Sequence, residues 1–161
     1  MTSNGLEERL RRLEDIREVE LVYWRYAEFA DRGWAGGDDG QAWADLFSED
    51  AVLDTGSDFG VVRGRGQIDE WQKQLAVDDP SLFSVHLLTN PRVEVDGDRA
   101  TAWLHVLIMM EVVEGHPTWL CGKTEDKLVR TAEGWKLQEC HMKPAFVIPY
   151  VGEGWTKANR G

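Results

Sequence analysis

Apolar residues recur at intervals of three and four from Leu6 onward: Leu10, Leu13, Ile16, Val19, Val22, Tyr23, Tyr26, Phe29 and Ala30. That spacing lays one stripe along a helix and predicts a single long helix over residues 6–33. Ser3 or Asn4 can cap it, with Glu7 and Glu8 in its first turn. The early turns, rich in Glu and Arg, belong in water, whereas the later turns are heavily apolar. Gly33 and the run Gly36-Gly37-Asp38-Asp39-Gly40 break the pattern. A short helix at 41–47, a strand at 51–54, a turn at 56–60 and a third helix at 66–75 follow. On this third helix Ile68, Trp71 and Leu75 share one side.

Beyond Pro80 the apolar period drops to 2, which marks strands. Four are predicted, at 83–95, 99–113, 118–131 and 134–144. Asp96-Gly97-Asp98, Glu114-Gly115-His116-Pro117 and Ala132-Glu133 between them carry hairpin turn chemistry. Helices first and an antiparallel meander (83–144) last is an α+β pattern, with helices packed on one face of a curved sheet. The tail, residues 145–161, opens with Phe146-Val147-Ile148-Pro149-Tyr150-Val151. Such an apolar run is expected to close over the molecule or to reach a neighbouring subunit.

A chain of 161 residues fits one domain spanning 1–161. Its 42% apolar content and eight Trp exclude a disordered chain. With 18 Lys and Arg against 29 Asp and Glu the formal charge is −11, a field that repels phosphate backbones and anionic lipid. Nucleic acid and membrane surfaces are therefore not expected as partners. No apolar run reaches the roughly 18 residues of a membrane-spanning helix, and Met1–Gly5 lacks the basic and apolar regions of a signal peptide. A cytoplasmic location is expected.

Chemistry narrows in the same way. Cys121 and Cys140 form no CxxC pair, and His86, His105, His116 and His141 have no ligand spacing, so no metal is expected. Dinucleotide and Walker loops, HExxH and GxSxG are absent, so no cofactor is expected either. What remains is acid–base work by a few side chains in an apolar pocket. Asp31 stands one turn beyond an apolar cluster, near a helix C-terminus where the macrodipole disfavours it. His86 interrupts an apolar strand in Val85-His86-Leu87-Leu88. Each also has a plain structural reading: a solvated Asp, and a core His satisfied by its neighbours.

Five segments taken together resemble the SnoaL-like branch of the nuclear transport factor 2-like superfamily over nearly the whole chain. They are Arg25-Tyr26-Ala27-Glu28-Phe29-Ala30-Asp31, Leu46-Phe47-Ser48-Glu49-Asp50-Ala51-Val52, Val85-His86-Leu87-Leu88-Thr89-Asn90-Pro91, Val95-Asp96-Gly97-Asp98-Arg99-Ala100-Thr101-Ala102 and Gly134-Trp135-Lys136-Leu137. The resemblance implies a cone-shaped barrel, a bent antiparallel sheet wrapped around the N-terminal helices, with a pocket at its open end. Within the branch the pattern is most similar to scytalone dehydratase, bile-acid 7α-dehydratase and hexachlorocyclohexane dehydrochlorinase, lyases without cofactors. By that resemblance Asp31 orients and charge-balances His86, the base, and Tyr26 matches a Tyr five residues before the Asp of the bile-acid enzyme. A carboxylate beside an imidazole fixes its tautomer, and a Tyr hydroxyl can donate to a departing or enolising oxygen.

The same alignment implies that Leu104, Val106, Ile108 and Met110 face the pocket, so that strand carries no second acid. Trp103, His105, Leu107 and Met109 then point outward, toward a subunit interface. Cys140 falls where the dehydrochlorinase offers an Arg to its leaving chloride, which disfavours haloalkane chemistry. Lys123 falls on a pocket-facing position and is a candidate for a substrate carbonyl or enolate. Trp43, Phe59, Ile108, Met110 and Met142 are further candidates for the substrate wall, with Trp34, Trp71 and Trp119 as other aromatic possibilities. The expected function is a cofactor-independent lyase or isomerase, dehydratase- or cyclase-like, on a hydrophobic cyclic molecule of polyketide, terpenoid or steroid type. The alternative is a non-catalytic small-molecule-binding or accessory domain; an epoxide-hydrolase-like arrangement of Asp, Arg and Asp is not found. A homo-oligomer is expected, a dimer or a trimer.

Overall fold

The structure, a computed structural model, describes residues 3–32, 41–56, 60–78, 83–111 and 116–150. Helix α1 (Ser3–Ala30) leads into the short α2 (Gln41–Ala44), strands β1 (Phe47–Asp54) and β2 (Val61–Arg63), and helix α3 (Arg65–Asp78). Strands β3 (Phe83–Asp96), β4 (Arg99–Glu111), β5 (Thr118–Thr131) and β6 (Gly134–Pro149) complete an α+β fold. No described helix is long and apolar enough to cross a membrane.

The division of α1 follows its composition. Leu6, Leu10 and Leu13 in its early turns are exposed, whereas Val19, Val22, Tyr23 and Ala30 are buried against the sheet. The core there includes Phe47, Ile68, Leu128 and Leu137, all with less than 2% exposure. Deleting such a side chain costs about 2–5 kcal/mol, so this layer fixes how the helices sit on the sheet.

The strands form one six-stranded sheet in the order β2-β1-β6-β5-β4-β3. Strands β3 to β6 form the antiparallel meander read from the sequence, but the sheet as a whole is mixed, because β1 runs parallel to β6, pairing Leu53 with Cys140. Hairpin chemistry reveals only neighbours in sequence, and this pair is distant. Strand β1 also begins at Phe47, inside the segment read as helix, because Phe47 is wholly buried and pairs with Leu137. Strand β2 is too short to show an alternation. The expected tail is strand as far as Pro149, paired from Phe146 to Pro149 with β5; residues 151–161 lie outside the described residues.

The sheet stays open, with β2 and β3 at its edges, so the expected cone is a wrapped sheet and not a closed barrel. Four steps separate β1 from β3, about 19 Å if the sheet were flat. Leu53 on β1 and His86 on β3 nevertheless line one cavity of about 160 Å³, which requires the sheet to curve around α1 and α3. Register shifts between Thr89 and Arg92 on β3, and between Cys121 and Gly122 on β5, supply bends. Asn90, at the first of these, takes a left-handed φ of 53°, which Asn tolerates better than most residues.

At the second, Gly122 lets β6 come close. A Cβ there would lie 2.5 Å from the Lys143 carbonyl oxygen and 3.0 Å from Pro144 Cα. Gly122→Ala is expected to destabilise the fold by about 2 kcal/mol, read as a lower urea midpoint. An unchanged midpoint would mean that the two strands can part there without cost.

Candidate active site

The end of α1 is pinned to the start of β3. Arg32 N donates to Ser84 O at 3.1 Å, Ser84 N donates to Arg32 O at 3.2 Å, and the Ser84 hydroxyl donates to Ala30 O at 3.0 Å. This clip holds Asp31, the residue between Ala30 and Arg32, against His86, two residues beyond Ser84. One carboxylate oxygen, Oδ1, accepts from the His86 backbone N at 2.7 Å and lies 2.9 Å from the ring nitrogen Nδ1. Asp31 is buried and His86 half-buried.

A carboxylate oxygen can only accept, so the Nδ1 contact places a proton on Nδ1, and in the neutral ring the lone pair is then on Nε2. Nε2 has no partner among the described residues, and the His86 side chain lines the cavity. An imidazole held this way is oriented to take a proton. Long-range ¹H–¹⁵N NMR of the neutral ring is expected to show the Nδ1–H form in the wild type and a mixture in Asp31→Ala. An Nε2–H wild type would remove the basis for His86 as a base.

Tyr26 lies on the same helix as Asp31, its ring centroid 6.3 Å from that of His86 and 5.3 Å from that of Trp43. Burial, then the nearby Cys140 and Asp126, push its hydroxyl well above the ordinary tyrosine range, so it stays a neutral donor. The rest of the wall is mainly apolar and includes Leu88, Val106, Ile108, Met110, Leu120 and Met142.

A second ionisable centre sits on the same wall. Asp126, from β5, is 3% exposed. It accepts from the Tyr23 hydroxyl at 3.0 Å, the His141 backbone N at 3.1 Å and the Thr124 hydroxyl. Burial raises its carboxyl to about 6, against the lowering effect of those hydrogen bonds. The two centres meet through α1: Tyr23 holds Asp126, and Tyr26, one turn on, lies beside His86.

The structure thus brings Asp31, His86, Tyr26, Trp43, Ile108, Met110 and Met142 to one cavity, though Asp31 approaches it only through His86. Phe59 and Trp34 lie outside the described residues. Lys123 is a correction: it is exposed, paired in register with His105 on the outer face. On β5 the buried positions are Leu120, Gly122, Thr124, Asp126 and Leu128, so Lys123, Glu125 and Lys127 point outward. There Lys127 pairs with Glu139 at 2.8 Å and Lys143 with Glu125 at 3.3 Å. That charged alternation was the available signal for Asp126 and Thr124, which sequence reasoning missed along with Tyr23 and Gln72. Trp119 stacks on Tyr150, centroids 5.9 Å apart, away from the cavity. Among the described residues no group of three or more His, Cys, Asp or Glu could hold a metal ion.

Helices wrapped in a curved sheet around a small cavity with buried acid–base groups define a class of small α+β pocket proteins. The SnoaL-like domain family matches residues 11–141, and this chain belongs to it. No curated protein sequence matches the chain. Among solved structures it is similar to a protein proposed as an aromatic ring hydroxylase from Novosphingobium aromaticivorans. That match has 25% identity and a TM-score of 0.75, covering 86% of this chain and 94% of the other. A proposed scytalone dehydratase from the same organism gives 20% identity, a TM-score of 0.72, and coverage of 88% and 91%. A hexachlorocyclohexane dehydrochlorinase of type 2 gives 20%, 0.74, 89% and 93%. The last two are likenesses of fold.

Proposed function

We propose that this chain is a cofactor-independent acid–base lyase or isomerase acting on a hydrophobic cyclic carbonyl or hydroxy compound. The observation that carries this reading is the pairing, on one apolar cavity, of an imidazole fixed by Asp31 with a buried carboxyl raised to about 6. His86 Nε2 takes a proton from the carbon next to a carbonyl, and Tyr26 donates a hydrogen bond to the enolate oxygen as charge develops. In an elimination, protonated Asp126 passes its proton to the departing hydroxyl, the C–O bond breaks, and water leaves. In an isomerisation the proton returns at another carbon. A carboxyl near 6 suits either direction of transfer, because acid and base forms are both populated close to neutrality.

A purely binding role, the alternative, gives no account of two buried ionisable centres on an apolar wall. Exposed Leu87, Phe146, Val147 and Ile148 favour association of copies, as a dimer or trimer. The testing experiment follows deuterium entering the position next to the carbonyl of small cyclic ketones in D₂O, by NMR. Elimination and isomerisation share this first step, so no leaving group need be known. Exchange above the buffer rate is expected with wild type; its absence across the panel would set the enzyme reading aside.

A further inference from the structure

Tyr23 belongs to the apolar stripe of α1, where a Phe would fill the same space without a hydroxyl to satisfy. Its hydroxyl meets Asp126 Oδ2 at 3.0 Å, and both side chains form part of the cavity wall. Among the described residues Asp126 is the only hydrogen-bond partner of that hydroxyl. The two oxygens of Asp126 are not equivalent. Oδ1 accepts from the His141 backbone N–H at 3.1 Å and from the Thr124 hydroxyl, whereas Oδ2 has Tyr23 alone. A main-chain N–H can only donate, so when Asp126 takes up a proton, Oδ1 stays the accepting oxygen and the proton goes to Oδ2. The Oδ2–H group then donates to the Tyr23 oxygen, and the Tyr23 hydroxyl proton has to turn away. It is left as a buried donor with no acceptor among the described residues, a costly arrangement that a ligand oxygen in the cavity relieves.

We propose that Tyr23 is the residue that hands a proton to the departing oxygen, with Asp126 behind it as the source of that proton. This rests on the reading of the cavity as a lyase site, and adds to it a second catalytic tyrosine besides Tyr26. In the elimination the C–O bond breaks and its electron pair stays on the departing oxygen, which takes the Tyr23 hydroxyl proton. Asp126 Oδ2 passes its own proton to the Tyr23 oxygen in the same movement, so Tyr23 ends neutral and Asp126 ionised. The proton taken from carbon rests on His86, and its release to water with uptake of another by Asp126 resets the site. Burial, then the charge of Asp126, holds Tyr23 well above the ordinary tyrosine range, so it gives up its proton only as another arrives. The titratable groups facing Asp126 are Tyr23 and Tyr26 from α1 and Cys140 and His141 from β6. Burial keeps both tyrosines and the thiol neutral up to pH 8, so the His141 ring is the one to control.

The test reads Tyr23 directly and needs no turnover. The chain has three Tyr, so labelling tyrosine with ¹³C at Cζ gives three NMR signals, and Tyr23→Phe identifies one by its loss. That signal is expected to move between pH 4 and pH 8 with a midpoint at about 6, following Asp126. In Asp126→Asn it should stay at its low-pH position throughout, because the amide NH₂ takes the place of Oδ2–H as donor to the Tyr23 oxygen. Methoxycyclohexane, whose oxygen only accepts, should bind roughly tenfold more tightly at pH 5 than at pH 8, and should move the midpoint to about 7. Ethylcyclohexane, of the same shape without the oxygen, should bind equally at both. Asp126→Asn should hold the ether as well at pH 8 as at pH 5. Tyr23→Phe should hold it at either pH only as weakly as wild type does at pH 8. His141→Gln, which keeps the main-chain donor, should retain the wild-type dependence on pH. A Tyr23 signal that does not follow pH, an ether that does not bind, or a pH dependence that survives Tyr23→Phe would overturn the proposal. The last result would mean that Asp126 meets the ligand itself. Deuterium exchange with a Tyr23 signal that stays still removes the relay alone. A responsive Tyr23 without wild-type exchange removes the lyase reading and leaves the coupling of the two side chains.

Discussion

Replacing His86 with alanine is expected to lower the deuterium-exchange rate on a responsive ketone by about 10²–10⁴-fold, the usual contribution of a positioned general base. The side chain lines the cavity and leaves the main-chain clip between Arg32 and Ser84 in place, so the melting temperature should move little. Asp31→Ala should cause a smaller loss in rate. It removes the acceptor for both His86 N and Nδ1, so the ring remains but is no longer held in one tautomer. The split between the two variants matters. Equal losses would mean that Asp31 and His86 act as one unit, and an unchanged rate in His86→Ala would place the base elsewhere on the wall.

The dependence of stability on pH should report Asp126 directly. Its carboxyl ordinarily titrates at 3.8 and in the folded protein at about 6, so the folded state holds the proton more tightly than the unfolded chain does. The contribution is therefore fully present below about 4 and is lost as pH rises through about 6. The size of the effect is roughly 3 kcal/mol, from about 1.4 kcal/mol per pH unit. Asp126→Asn cannot ionise, and its amide can still accept from His141 N through Oδ1. Urea denaturation at pH 4 and pH 8 should show the variant gaining on wild type by about that amount across the interval. A constant difference between the two proteins would mean that Asp126 ionises in the fold as it does in water, which would remove it as an acid near neutrality.

How much of this was legible beforehand depended on distance along the chain. Helix α1 and the hairpins of β3 to β6 announced themselves, because helical periodicity and turn residues are local signals. The parallel pairing of β1 with β6 did not, since nothing near Leu53 points to Cys140. Asp31, His86 and Tyr26 could be singled out as oddly placed polar groups matched to a family pattern, but only the three-dimensional clip shows why they meet. On β5 a shift of one position exchanged Lys123 for Thr124 and Asp126, because side chains on a strand alternate faces. Gln72 was invisible for another reason: a single Gln on a helix is unremarkable until its surroundings prove dry.

The parallel contact between β1 and β6 also bears on the order in which the protein assembles. Hairpins of β3 to β6 close short loops and can form early, whereas β1 must find β6 across most of the chain, a slow step for entropic reasons. Leu53 and Asp54 enter the cavity wall only when that step is complete. During refolding, then, hairpin structure should recover well before the capacity to hold a ligand, and the cavity is the last part of the molecule to mature.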